Sequence, residues 1–186
     1  MRRVYYDVTM VPGVSGNFGA VSVGPAVHIR PAVRVDWNRI RPTRTVDLNA
    51  MSEFRVKTPA RAALVDITDQ VKNAVTGASV GTGLCNLFVP HTTCGVIVSE
   101  NWDPDVVTDM IGHLERLVPR DGGFRHSEGN SQAHILSVML STSINIPVAN
   151  ARLRLGRWQG VMLAEWDGPR ERSVLVTVVP AREARG

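Results

Sequence analysis

The chain has 186 residues, 44% of them apolar and 20% charged, with a formal net charge of +4, so it has room for one ordinary core and an appendage. Residues 1–50 hold seven Arg and three Asp, which accounts for the whole positive balance, while residues 51–186 hold fourteen Lys plus Arg against fourteen Asp plus Glu. A balanced folded part, in a chain with 5% aromatics, leaves no basic or stacking footprint for nucleic acid, and no run approaches the ~20 apolar residues that span a bilayer.

The first 50 residues read as an N-terminal extension. Four Gly and four Pro punctuate them, Lys is absent, and no periodicity is sustained. Only Ala26-Val27-His28-Ile29 and Ala32-Val33-Arg34-Val35 offer short strands; Met10 and Met51 are candidate internal starts. Arg2-Arg3 is not followed by an apolar run, so no export signal is read and the expected compartment is the cytoplasm. One domain is expected over 51–180, with 181–186 as a tail.

From Met51 the signals sharpen. Phe54 and Val56 alternate with polar residues in a short strand, and Leu64-Val65-Asp66-Ile67 makes another. Thr68 stands where its hydroxyl would cap a short helix through Val71 and Val75, stopped near Gly77. Gly83–Val89 and Cys94–Val98 read as strands joined through Pro90-His91-Thr92-Thr93. Paired as a hairpin, they would set Val89 against Cys94 and Cys85 against Val98, out of disulfide reach. Two cysteines are in any case too few for a disulfide scaffold, and both are expected to be reduced and buried.

A helix follows from about Asp103 to Val118. Asp103 caps it, Pro104 fits the first turn, and Val107, Met110, Ile111, Leu114, Leu117 and Val118 form one apolar face. After Pro119 and the Asp121-Gly122-Gly123 loop, Asn130 caps a second helix to about Leu140 that carries His134, Ile135, Val138 and Met139. Strands are then expected at Ile144–Val148, Leu153–Leu155, Trp158–Glu165 and Ser173–Val179. Strands at both ends of two helices argue for an α+β fold with mostly antiparallel sheets.

Three histidines carry the first candidate chemistry. His91 lies at a strand exit, His126 in a loop and His134 in the first turns of a helix, and three neutral imidazoles with an open position make a catalytic metal site. Separately hydrogen-bonded rings are the plain alternative, and the one given to His28 and His113. Glu100, Asp103, Asp105 and Asp109 crowd the start of the long helix, where acids favour its dipole; one of them can also orient a ligand histidine. Glu165, Asp167, Arg170 and Arg172 cluster in a turn, either as salt bridges or as a clamp for phosphate. Cys94 beside His91 offers a thiol, but neighbours in sequence need not meet in space.

The run Val89-Pro90-His91-Thr92-Thr93, then Glu100-Asn101-Trp102-Asp103-Pro104-Asp105-Val106, Asp109, His126, Glu128-Gly129-Asn130 and Ala133-His134-Ile135 resembles the YjbQ-like family, often labelled secondary thiamine-phosphate synthase. The likeness continues through Ile146-Pro147-Val148, Leu155-Gly156, Trp158-Gln159 and Asp167-Gly168-Pro169-Arg170. It covers about 51–180. Arg157 stands where the family favours Thr, Ser99 replaces Asn, and Cys94 replaces Ala or Ser.

The resemblance implies that the sheets stack sandwich-like, in a homotrimer with a pocket near a subunit boundary, where His91, His126 and His134 bind a divalent metal, zinc first and magnesium second. It implies transfer of a hydroxymethylpyrimidine from its diphosphate to a thiazole phosphate. Glu100, Asp109 and Asn130 are then the expected catalytic residues; Thr92, Thr93, Asn101, Trp158, Gln159, Arg170 and Arg172 are expected to bind the phosphorylated substrate. Two rival readings use the same residues: a metal-dependent hydrolase, and a noncatalytic metabolite-binding protein.

Overall fold

Period-two burial along the chain builds two sheets. The structure is a computed structural model that describes residues 51–181; the expected strands around Ala26 and Ala32, and His28, lie outside those residues. The first sheet contains β1 (Met51–Lys57), β3 (Thr82–Phe88), β5 (Ser143–Ala149), β6 (Arg152–Leu153) and β8 (Glu171–Pro180) in the order β1-β8-β3-β5-β6. The second contains β2 (Ala63–Asp66), β4 (Cys94–Glu100) and β7 (Gln159–Glu165) in the order β2-β7-β4. Every pairing is antiparallel. Three helices complete the α+β domain: α1 (Thr68–Gly77), α2 (Pro104–Leu117) and α3 (Ser131–Leu140).

The main core lies between the sheets and α1. Val174, Val176 and Val178 of β8 meet Val161 and Leu163 of β7, with Ile67, Val71 and Val75 closing the side. Each such fully buried side chain is worth roughly 1.5–3 kcal/mol. A second cluster on the outer face of β7 packs Ala164 and Trp166 against Ala133 and Leu136 of α3. β7 is therefore covered on both faces, which is why its run Val-Met-Leu-Ala is apolar throughout instead of alternating.

Four expectations change. The strands on either side of His91 do not form a hairpin: β3 pairs with β5 and β8, and β4 with β7, so the His91 loop crosses from one sheet to the other. Both cysteines are nonetheless free and buried. Thr68 does not cap α1 with its side chain; its hydroxyl oxygen instead accepts from the buried Val161 N–H at 2.9 Å, tying α1 to β7. Asn130 stands at the N-cap of α3 but makes no side-chain cap bond; the inward face of that helix is Gln132, Ala133, Leu136 and Ser137, with Val138 80% exposed and Met139 51%. By contrast, Asp103 caps α2 as expected, its carboxylate accepting from Asp105 N–H at 2.9 Å.

Candidate functional site

Four five-residue crossings carry the described chain from one sheet to the other, and three of them, 58–62, 89–93 and 166–170, belong together. The registers put them at one end of the molecule: Lys57 pairs with Glu171, and both Ala63 and Cys94 pair with Glu165. An ion pair staples them together there. Arg172 Nε and Nη2 donate to the two Glu165 carboxylate oxygens at 2.6 and 2.5 Å, and Nη2 also donates to Thr93 Oγ1 at 2.8 Å. Glu165 further accepts from the amides of Trp166 and Asp167 and from the Thr58 hydroxyl. Residue exposures are 0% for Glu165 and 5% for Arg172. Burial alone would push the Glu165 carboxyl up; the Arg172 guanidinium and the amide bonds outweigh it and hold the group below the usual carboxylate range. The pair stays ionised.

Beside this staple, the N–H of Ser173 donates to His91 Nε2 at 2.8 Å. Burial first, and then the Arg172 charge, hold the His91 imidazole below its ordinary value. It lines a cleft of about 570 Å³ with Phe88, Pro90, Thr92, His134 and Thr142. A second cleft of about 440 Å³, with Phe124, Arg125, His126 and Ser131 on its wall, also includes His134. The rings of His126 and His134 meet edge to face, their centroids 5.4 Å apart. Gly129 at φ 70 lets the His126 loop turn into α3, and its N–H donates to the His126 carbonyl at 3.0 Å.

The chain thus brings His126 and His134 together, with His91 on the other cleft that His134 lines. Among the described residues no group of three or more His, Cys, Asp or Glu side chains is placed to hold a metal ion. Two imidazoles fit such an ion; within one chain they fall short of the three protein ligands of a catalytic zinc site.

The remaining expected site residues divide between the two ends of β7. Glu100 pairs with Gln159, six residues from the Cys94–Glu165 pair, which is roughly 20 Å along a strand. At that far end Trp102 and Trp158 lie 5.2 Å apart, the Arg157 guanidinium sits 4.7 Å over the Trp158 ring, and Gln159 Oε1 accepts from Gly156 N–H at 2.8 Å. Asn101 packs against Gly160, where an added Cβ would lie 2.6 Å from its side chain. Asp109 is exposed on α2, beside Met110 and His113. Only Asn130 of the three expected catalytic residues joins the histidines. Its Nδ2 donates to Asp167 Oδ2 at 3.1 Å, and its Oδ1 is buried without a partner among the described residues.

Two of the expected substrate contacts are already spent. Arg172 is no phosphate clamp, because burial and Glu165 take its guanidinium, and Thr93 is buried beneath it as an acceptor. Arg170 bonds Asp167 at 2.7 Å but keeps a half-exposed head, and Thr92 is exposed on the cleft wall. Ser173 and Thr58 were not foreseen, since backbone donors and single hydroxyls leave no mark in sequence. The Arg172 role did leave one: it falls in phase with Val174, Val176 and Val178, the inward positions of β8.

A family model described as UPF0047 protein YjbQ-like matches residues 52–181. A UPF0047 protein of Methanocaldococcus jannaschii is 39% identical over 132 residues, which is 71% of this chain and 96% of that protein. Among solved structures, a YjbQ/UPF0047-family protein of Clostridium acetobutylicum superposes with a TM-score of 0.68 at 41% identity, covering 69% of this chain and 99% of its own. A conserved hypothetical protein of Thermus thermophilus gives a TM-score of 0.64 at 46% identity, covering 69% and 99%. No helix among the described residues is long and apolar enough to cross a membrane.

Proposed function

The chain belongs to the UPF0047 YjbQ-like family, and on that footing we propose that it is an enzyme of phosphorylated small molecules, working at the sheet corner with a divalent cation as cofactor. The observation that carries this reading is the edge-to-face pair of His126 and His134, next to the cleft that His91 lines. His126 and His134 are the residues that would hold the ion, zinc before magnesium. When bound, such a cation supplies a Lewis acid that draws charge from a phosphoryl oxygen or a bound water.

The chain's own residues do the positioning. Thr92 offers a hydroxyl on the cleft wall. Asn130 is anchored through Asp167 and its backbone carbonyl accepts from His134 N–H at 3.4 Å, which supports a role in orientation. The proposed reaction is the thiamine-phosphate synthase-like one, transfer of a hydroxymethylpyrimidine from its diphosphate to the ring nitrogen of a thiazole phosphate with loss of pyrophosphate; the motif likeness around the three histidines supports it. The apolar side chains left exposed on α3, Val138 above all, support assembly as a homotrimer with the cleft near a subunit boundary.

Elemental analysis of the purified chain and of His126→Ala and His134→Ala, paired with a pyrophosphate-release assay, tests the reading. The expected result is stoichiometric zinc in the parent, its loss from both variants, and pyrophosphate release that tracks metal content. Unchanged metal content and activity in both variants would leave the noncatalytic binding reading. Turnover that consumes water and releases no pyrophosphate would make the site a hydrolase.

A further inference from the structure

A neutral imidazole has one N–H and one lone pair, on different nitrogens. In His91 the lone pair belongs to Nε2 and is already taken, because a backbone amide can only donate and Ser173 N–H does so at 2.8 Å. The reason lies in the sheet. The ladder between β3 and β8 stops at Phe88–Leu175, so the Ser173 amide, two residues further along β8, has no β3 residue opposite it, and the His91 ring stands in for the missing strand. The neighbouring Arg172 locks this arrangement by holding Thr93. The ring proton is therefore on Nδ1, and neither nitrogen has a lone pair to give a metal ion.

His91 Nδ1 has no protein partner among the described residues and is not one of the enclosed, unpaired polar atoms. The cleft it lines contains no carboxylate and no Lys or Arg; its other polar side chains are Thr92, His134, Ser137 and Thr142. Ser137 is committed to the Cys94 carbonyl at 2.9 Å. A neutral donor beside two threonine hydroxyls and the His134 ring, on a wall with no charged side chain, suits an acceptor oxygen that arrives with its own negative charge.

We propose that His91 is an oxyanion-binding residue, donating Nδ1–H to a phosphoryl oxygen of the ligand, and is not one of the metal ligands. The phosphoryl identity rests on the function proposed above; the tautomer does not.

The test uses the full chain with isotope-labelled histidine and nitrogen–proton correlation spectra, the His91 signals being assigned by their loss in His91→Ala. The expected pattern is a protonated Nδ1 and an unprotonated, hydrogen-bonded Nε2, both unmoved by zinc, with Nδ1 shifting as inorganic phosphate is added. His91→Asn keeps an N–H donor near the Nδ1 position. Phosphate affinity should fall about tenfold in His91→Ala, the loss of one hydrogen bond to a charged group, and recover in His91→Asn, with metal content equal to the parent in both. A proton on Nε2, a zinc-induced shift of either His91 nitrogen, or metal loss in the Asn variant overturns the proposal. So does a phosphate titration that leaves Nδ1 unmoved. If the parent binds no metal at all, the proposed cofactor is wrong, while the tautomer and the phosphate response still decide the role of His91.

Discussion

Replacing Arg172 by Met tests the corner most directly. The substitution removes both bonds to Glu165 and the bond to Thr93, and leaves a carboxylate with 0% exposure facing two amides and the Thr58 hydroxyl. Stripping one partner from a buried pair costs about 3–5 kcal/mol. For a domain of this size that lowers the unfolding temperature by roughly 10–20 °C, measured by circular dichroism at fixed protein concentration so that association does not move the midpoint. The double variant Glu165→Leu/Arg172→Met has no stranded charge and should regain most of the loss, since the desolvation cost of the pair largely cancels its attraction. A drop of less than about 3 °C in the single variant, well under the smallest loss expected, or a double variant less stable than the single, refutes this account of the staple.

Three further outcomes are expected. Gly95→Ala places a Cβ 2.6 Å from the Ser141 carbonyl oxygen, so β4 and the end of α3 must part at about 1–3 kcal/mol; an unchanged urea midpoint would show that the contact yields freely. The folded-state carboxyls of Glu165 and Asp167 lie below their ordinary values of 4.5 and 3.8. The unfolded chain therefore binds protons first on acidification, and stability is full above about pH 4.5 and declines as pH falls through the lower folded values; urea midpoints that stay flat between pH 5 and 2 contradict the sign. Burial pushes the thiols of Cys85 and Cys94 up to about 11 and about 12. Native protein at pH 8 should resist thiol reagents that label both residues at once in guanidinium, and fast labelling of the folded chain would disprove their enclosure.

Local chemistry made α2 legible: Asp103 and Pro104 mark its start, and apolar residues recur on one side up to Val118. The same logic failed on α3, because Asn130 gives its side chain to Asp167 instead of the cap, and Gln132 and Ser137 turn inward toward partners that are distant in sequence, Arg61 for Gln132 and the Cys94 carbonyl for Ser137. It failed again at the His91 loop. Two strands separated by a few residues read as a hairpin, and nothing local says that one belongs to each sheet. The nearness of His126 and His134 could be read from their spacing around a helix start, but the motif likeness gathered Asn101, Trp158 and Gln159 into the same site without saying that they occupy the other end of β7. Arg172 was marked by its phase with the valines of β8, and Glu165 by being an acid within an apolar run. A charge in such a place needs a buried partner, and each is the other's.

The position of β8 bears on how the protein is made. It is the last strand among the described residues, yet it lies between β1 and β3, so the larger sheet has a gap until β8 itself has been made. Arg172 and Ser173 reach back 79 and 82 residues to Thr93 and His91. A nascent chain still tethered to the ribosome short of those residues has every histidine of the site in hand and no means of orienting the first of them, and a premature stop before β8 would leave it in that condition for good.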